Sequence, residues 1–166
     1  QLIDEPTMRL IAERGVFLSP QAHLFSDDSP AAAQQTAAQR AKASVVSAGL
    51  DRMMLLARKY KVKVAFGTDL FGAPQMFGAE SREFGARLRW FSSGEVLQQA
   101  TSINGDLLAM SGTRNPYGRL GVLEDGALAD LLILDGNPLE DIRILEMPDQ
   151  AIRVIVKDGR VVKNGL

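Results

Sequence analysis

Cysteine is absent from this sequence of 166 residues, and histidine occurs once, as His23. The lack of cysteine excludes disulfides and thiolate metal sites, and it leaves the redox compartment open. No apolar run approaches the roughly 20 residues of a membrane span, so a membrane is not expected as a partner. No signal peptide is visible after Gln1, and a soluble, cytoplasmic protein is the default expectation.

An excess of charge of one sign is also lacking. Nineteen basic and twenty acidic side chains give a net charge of -1. No basic stripe is present, so nucleic acid is not expected as a partner. The sequence instead contains 46% apolar and 23% charged residues, which is typical of a globular protein with a core of its own.

The N-terminal part of the chain alternates predicted helices and strands. Residues 4–15 predict a short helix with a glycine stop, and residues 16–20 predict a brief buried strand that ends at a proline. A helix is expected over residues 31–60, interrupted or bent near Gly49, and a second buried strand over residues 61–69. The apolar face of the long helix is expected to consist of Leu50, Met53, Met54, Leu55 and Ala57. This order indicates the βα rhythm of a parallel sheet.

The middle of the chain is predicted to be helical. Helices are expected over residues 80–91 and 95–100, and a further short helix over residues 102–112. Ser92 and Glu95 have the spacing of a capping box, in which each side chain accepts a hydrogen bond from the other residue's backbone N–H.

The last third of the chain has a different sequence pattern, in which glycines separate short apolar runs. Residues 131–134 predict a strand, and Asp158-Gly159 suits the two-residue type I′ turn of a β-hairpin. We therefore predict an α/β domain over residues 1–112 and a small β domain over residues 113–166.

Four segments in a fixed order carry a resemblance to a known family. They are FGTD (66–69), ATSINGDLLAMSG (100–112), GRLGVLEDGALADLLILDGNPLED (118–141) and IRVIVKDGRVV (152–162). In this order they resemble the C-terminal part of the amidohydrolase superfamily, in the branch of imidazolonepropionase-like and Xaa-Pro dipeptidase-like metal-dependent hydrolases. The resemblance covers nearly the whole chain.

The resemblance implies an α/β fold: an incomplete (β/α)8 barrel, the last two strands with their helices, followed by part of a β-sandwich. Intact members have a complete barrel and a sandwich built from both chain ends. Residues 16–20 match the seventh barrel strand, and residues 62–69 match the eighth. Six barrel strands and the N-terminal share of the sandwich are therefore expected to be missing.

The resemblance also implies a metal site that this chain holds only in part. Intact members take ligands from a His-x-His pair after strand one, a Lys or Glu on strand four and histidines after strands five and six. The aspartate after strand eight, here Asp69, acts as a metal ligand and general base. A divalent metal, expected to be zinc, is thus implied for the intact parent. None is expected in this chain alone, because Asp69 and a distant His23 cannot supply the three or four ligands that zinc needs.

Three residues have competing interpretations. Asp69 is either a catalytic group at the mouth of a barrel or an ordinary turn cap, and the downstream motifs favour the catalytic aspartate by descent. His23 is either a solvated loop residue or a contact for substrate. Asp130, an acid in an apolar stretch, is expected to hold its loop through backbone hydrogen bonds.

The main hypothesis for function is the C-terminal fragment of a metal-dependent hydrolase. Its parent would cleave an amide-type C–N bond in a small molecule, such as a dipeptide, an N-acyl amino acid or a cyclic amide. The chain alone is expected to be inactive. Two alternatives stay open: a non-catalytic interaction or assembly module, and one half of a hydrolase that works only with the missing N-terminal barrel half.

The first testable prediction concerns oligomeric state. A two-strand barrel remnant exposes backbone donors and acceptors at both edges, together with apolar faces. We therefore expect the isolated chain to form a homo-oligomer or to join the missing N-terminal half. Light scattering over a dilution series measures this. A sharp species of 18.0 kDa that unfolds cooperatively would contradict the prediction.

Overall fold

The computed structural model describes residues 3–26, 36–69 and 78–166. The chain divides after residue 90 into two compact units, Gln1–Trp90 and Phe91–Leu166. The predicted domain boundary near residue 112 stays a prediction. The fold is α/β with a three-stranded antiparallel sheet, whereas the barrel and the sandwich stay predictions.

The first unit opens with the predicted short helix, α1 (Glu5–Glu13). Asp4 caps it, because its carboxylate accepts a hydrogen bond of 3.0 Å from the Thr7 N–H, which satisfies one of the free donors of the first turn. The helix stops before Gly15, whose φ of 62° is costly for other residues. Met8 is fully buried, so it anchors α1 to the core.

The long helix, α2, extends over Ala37–Lys59. Thr36 and Gln39 form a capping box at its start, with hydrogen bonds of 3.3 and 2.7 Å. The helix runs without a break through Gly49, so the predicted interruption is wrong. One glycine costs a helix only about 1 kcal/mol relative to alanine, and burial of the apolar face offsets that cost. Residues 31–35 of the predicted helix lie outside the described residues.

The apolar face of α2 is narrower than predicted. Its buried residues are Leu50, Met53, Met54 and Ala57, which follow the i, i+3, i+4, i+7 spacing of one helical stripe. Leu55 is 59% exposed, so its predicted place in the core is wrong. It follows Met54 by one residue, and that step turns its side chain about 100° away from the stripe.

The two predicted strands of the first unit pair in parallel but only briefly. Leu18 bridges Val64, with hydrogen bonds of 3.0 Å from the Leu18 N–H to the Lys63 carbonyl and 2.7 Å from the Ala65 N–H to the Leu18 carbonyl. Val64 and Ala65 are buried, but Val16 is 47% exposed. Ser19 is also exposed, and only Pro20 of the first segment is buried, so the predicted burial of residues 16–20 is wrong for most of the segment. A parallel strand is buried throughout only when it has neighbours on both sides.

Short helices occupy the middle of the chain. They are α3 (Arg82–Arg87), α4 (Ser93–Gln98), a π-helical turn (Gln99–Ile103) and α5 (Asn104–Ala109). Helix α3 is shorter than the predicted 80–91. The capping box is confirmed: Ser92 Oγ accepts from the Glu95 N–H at 3.3 Å, and the Glu95 carboxylate accepts from the Ser92 N–H at 2.8 Å. None of the helices in the described ranges combines the length and the apolar character that a membrane crossing requires.

The second unit contains the sheet. Its strands are β1 (Leu131–Leu134), β2 (Ile152–Lys157) and β3 (Arg160–Asn164), in the order β1-β2-β3. The β2–β3 turn has Asp158 at φ 50° and Gly159 at φ 72°, as a type I′ turn requires, so the predicted hairpin is confirmed. A 3₁₀ turn (Ile142–Glu146) and α6 (Pro148–Ala151) lie between β1 and β2.

Burial in the second unit is uneven. Val96 and Ile142 are fully buried and Val154 nearly so. In contrast, Val161 and Val162 are 61% and 62% exposed, although neighbouring residues of a strand point to opposite faces. Strand β3 therefore presents apolar side chains to solvent on both faces.

The second prediction tests the packing of α5. A Cβ built on Gly105 would lie 2.1 Å from the Leu120 carbonyl oxygen, a backbone atom that cannot rotate away. We expect Gly105→Ala to lower the free energy of unfolding by about 1–3 kcal/mol or more, through overpacking. Urea denaturation followed by circular dichroism measures the loss.

Gly94→Ala is the matched control, because it also places a methyl group on a helix. The nearest atom to its Cβ is Leu139 Cδ2 at an ordinary 3.8 Å. This variant should be neutral or slightly stabilised, since alanine is the better helix former. Equal urea midpoints for the Gly105 and Gly94 variants would contradict the argument.

Candidate functional site

The candidate site lies where the two parallel segments of the first unit end. Asp69 follows Val64 by five residues and is exposed, with a φ of 53°. Aspartate is one of the few non-glycine residues that visit this left-handed region routinely. Asp69 is therefore accessible at the carboxyl end of the second segment.

Gly67, two residues earlier, allows a close approach between the segments. A Cβ on Gly67 would lie 2.8 Å from Ser19 Oγ, closer than Cβ atoms approach a neighbouring atom in proteins. Ser19 directly follows Leu18, the residue that bridges Val64. The glycine of FGTD thus lies close to the end of the first segment, and a larger residue there would require the Ser19 side chain to move.

A buried ion pair, Glu83 with Arg87, lies against these ends. Both belong to α3, and their side chains are 1% and 0% exposed. Arg87 Nε donates to Glu83 Oε1 at 2.7 Å. Burial lowers the pKa of Arg87, and the carboxylate of Glu83 opposes that shift. Neither residue was among the sequence-predicted site residues.

Glu83 binds the loop that follows the first segment. Its Oε1 accepts from the Ala22 N–H at 2.9 Å, and its Oε2 accepts from the His23 N–H at 2.7 Å. These are charge-assisted hydrogen bonds, which are stronger than bonds between neutral groups. The carboxylate therefore fixes the start of the 3₁₀ turn His23–Phe25.

Arg87 binds the carbonyl groups of both segments. Its Nη1 donates to the Ala65 carbonyl at 3.0 Å, and its Nη2 donates to the Pro20 carbonyl at 2.6 Å. Its guanidinium carbon lies 4.7 Å from the centre of the Phe66 ring, and that ring lies 4.6 Å from the ring of Phe84. One side chain thus joins the two segments through their backbones.

His23 is buried, with 3% of its surface exposed, so the interpretation as a solvated loop histidine is wrong. Its Nδ1 lies 3.1 Å from Ser26 Oγ within the 3₁₀ turn. The hydrogen bond from its backbone N–H to Glu83 draws it inward. A substrate contact by His23 stays a prediction.

The described residues do not supply a complete metal site. Among residues 3–26, 36–69 and 78–166, no group of three or more His, Cys, Asp or Glu side chains could hold a metal ion. Asp69 offers one carboxylate, whereas zinc takes three or four protein ligands. The metal implied by the family does not fit the side chains that the described part of the chain supplies.

A cavity of about 230 Å³ lies beside the first parallel segment. It is lined by Leu18, Ser19, Pro20, Gln21, Leu50 and Met53. None of these lining residues carries a titratable side chain, and Asp69 is not among them. The cavity is therefore a poor candidate for hydrolytic chemistry.

Asp130 has a structural role, as predicted. Its Oδ1 accepts from the Asp158 N–H at 2.6 Å, and its Oδ2 forms an ion pair with Lys157. These hydrogen bonds, first from Lys157 and then from Asp158, hold the pKa of Asp130 below its ordinary value, and Asp130 raises the pKa of Lys157. The carboxylate fixes the turn of the β2–β3 hairpin.

The third prediction follows from this shift. Because the pKa of Asp130 is lower in the folded chain, its contacts stabilise the fold fully above the unfolded pKa. That stability is lost as the pH falls through the folded value. We expect Asp130→Asn to lower the urea midpoint at neutral pH and to match wild type in acid below the folded pKa.

The effect should be small and should weaken in high salt, because the ion pair is exposed to solvent. Asp125→Asn, on the exposed turn before β1, removes one carboxylate without touching the Lys157 contact and serves as control. An Asp130→Asn deficit that persists unchanged in acid would contradict the argument.

Solved structures resemble the chain over nearly its whole length. An amidohydrolase is 32% identical, with a TM-score of 0.81, and the match covers 99% of this chain and 38% of that protein. A prolidase complexed with N-methylphosphonate-L-proline is 30% identical, with a TM-score of 0.81, and the match covers 98% of this chain and 38% of the prolidase. Ochratoxinase of A. niger shows the same fold, with 24% identity and a TM-score of 0.78. That match covers 97% of this chain and 35% of ochratoxinase.

No family profile matches the sequence, and no curated protein does so. The solved structures confirm the resemblance to the amidohydrolases that the motifs indicate. This chain is thus similar in sequence and structure to part of an amidohydrolase and part of a prolidase. The chain spans 38% of the length of that amidohydrolase and 38% of the length of that prolidase.

Proposed function

We propose that this chain is the C-terminal part of a metal-dependent amidohydrolase whose parent hydrolyses an amide-type C–N bond. The likeness to an amidohydrolase and a prolidase at 32% and 30% identity, over 99% and 98% of the chain, carries the proposal. Of the three substrate classes, a dipeptide is favoured, since one relative is a prolidase bound to a proline-containing ligand.

The proposed architecture is the end of a (β/α)8 barrel followed by a share of a β-sandwich. The parallel bridge between Leu18 and Val64 supports the first part, because it joins two segments separated by a long helix. The antiparallel sheet of β1, β2 and β3 supports the second part. Each segment of the bridge would gain further strand neighbours in the complete barrel.

Asp69 is the proposed catalytic residue, as a metal ligand and general base in the intact parent. Its position at the carboxyl end of a parallel segment supports this role, because barrel enzymes place their active sites there. The remaining ligands of a divalent metal, proposed to be zinc, would come from the missing half. The predicted substrate contact of His23 is not part of the proposal, since its side chain is buried.

The partner proposed for this chain is the missing N-terminal half or a second copy of itself. The exposure of Val161 and Val162 on β3 supports a covering partner. The same exposure is what favours the alternative function, a non-catalytic assembly module. Activity separates the two: an assembly module has no need of Asp69.

The fourth prediction tests Asp69 in the full-length parent. Asp69→Asn keeps the size of the side chain but removes the base, so we expect turnover to fall by about 10²- to 10⁴-fold. Hydrolysis of a panel of Xaa-Pro dipeptides, N-acyl amino acids and cyclic amides measures it. Asp125→Asn is the control, and it should retain full turnover because Asp125 lies on an exposed turn of the other unit.

The isolated chain provides the second arm. It should show no turnover and no stoichiometric zinc after dialysis, because its described residues do not supply a metal site. Full turnover by Asp69→Asn in the parent would overturn the catalytic proposal. Stoichiometric zinc that the isolated chain loses on Asp69→Asn would overturn the claim that the missing half supplies the other ligands.

A further inference from the structure

We propose that Glu83 and Arg87 are positioning residues that set the geometry of Asp69. The proposal rests on the proposed function of Asp69 for its effect on turnover. The two side chains touch backbone groups of both parallel segments, and Asp69 lies at the end of one of them. Their effect on chemistry is therefore exerted through Asp69.

The contacts of the pair are directed at loop ends rather than at side chains of the core. Glu83 accepts from the Ala22 and His23 amides after the first segment. Arg87 donates to the Pro20 carbonyl of the same loop and to the Ala65 carbonyl of the second segment. Because Glu83 and Arg87 are also bonded to each other at 2.7 Å, these contacts form one continuous network.

Successive residues that lead to Asp69 are held in turn. Ala65 is bound through its carbonyl by Arg87. Phe66 packs its ring against the Arg87 guanidinium, and Gly67 lies against Ser19. Asp69 comes two residues later with a φ of 53°. The backbone that carries the exposed carboxylate therefore starts from a platform of three held residues, 65–67.

The attraction between the two charges does not by itself account for such a pair. Taking both charges out of water costs several kcal/mol per ion, and apolar residues of similar volume are often equally stable or more stable in the same place. What apolar residues cannot provide is directional bonding to the Pro20 and Ala65 carbonyls and the Ala22 and His23 amides. The planar fork of arginine suits two such acceptors at once.

The first experiment measures the platform directly in this chain. Amide hydrogen exchange is compared at Leu18 and Ala65, whose N–H groups form the parallel bridge, and at Met54 in α2 as an internal reference. In Arg87→Met we expect exchange at Leu18 and Ala65 to accelerate about tenfold or more, with exchange at Met54 unchanged. Local opening of the bridge then costs less free energy, because the Arg87 contacts no longer have to be broken.

Arg89→Met is the matched control. Arg89 lies two residues further along, is 58% exposed and pairs with Asp51 at 2.5 Å. The same substitution there removes an ion pair that does not touch the parallel segments. It should leave exchange at Leu18 and Ala65 as in wild type.

The second experiment measures turnover in the full-length parent. We expect Arg87→Lys and Glu83→Gln to lower kcat by about 10- to 100-fold, the effect of a small misplacement of a catalytic group, with KM nearly unchanged. Arg87→Lys should retain more activity than Arg87→Met, since an ammonium can still donate to one carbonyl. A purely structural role would instead lower the folded fraction and leave kcat per folded molecule unchanged.

The outcomes are distinguishable from failure of the proposed function. Unchanged exchange at Leu18 and Ala65 in folded Arg87→Met overturns the positioning proposal whatever Asp69 does. Wild-type kcat in Arg87→Lys and Glu83→Gln overturns it as well, and so does failure of both mild variants to fold. Full activity of Asp69→Asn, with exchange accelerated as expected, overturns the catalytic proposal and the positioning of Asp69 for turnover, while the platform itself stands.

Discussion

A carboxylate and a guanidinium, buried together, determine how the first unit joins its two parallel segments. Glu83 and Arg87 are 1% and 0% exposed, and each binds backbone groups as well as its partner. Backbone groups that follow a short parallel bridge would otherwise lack ladder partners, and burying them unpaired is costly. The pair satisfies them, so the carboxyl ends of the segments are ordered although the bridge itself is only one residue pair long.

In the positioning proposal, the order imposed by this pair allows Asp69 to be exposed and still be held in place. Exposure alone leaves a carboxylate free to move, whereas a metal ligand or general base must be held within a fraction of an ångström. Ala65 and Phe66 are held by Arg87, and Gly67 approaches Ser19. Asp69 follows these residues with a left-handed φ of 53°.

Most local features of the fold were predictable from the sequence, whereas the burial and the backbone contacts of the Glu83–Arg87 pair were not. The Ser92–Glu95 capping box and the Asp158-Gly159 turn are confirmed, because their donors and acceptors lie within three residues. Leu55 was assigned to the core although it lies off the stripe of α2, which the helical spacing itself could have shown. Glu83 and Arg87 have the i, i+4 spacing of any exposed ion pair, and only the three-dimensional structure shows that they are buried.

The sequence motifs name a candidate residue, Asp69, but they do not indicate which residues support it. FGTD and the motifs after it single out Asp69, yet nothing in FGTD indicates which residues hold it. Some of those residues precede it in the sequence, at Pro20–His23, and others follow it, namely Glu83 and Arg87. A barrel closes by bringing such distant segments side by side, so its catalytic groups are positioned by contacts made across the chain. In the positioning proposal the two parallel segments and α3 supply the supporting contacts of Asp69, while the other ligands of the proposed metal would have to come from outside the described residues.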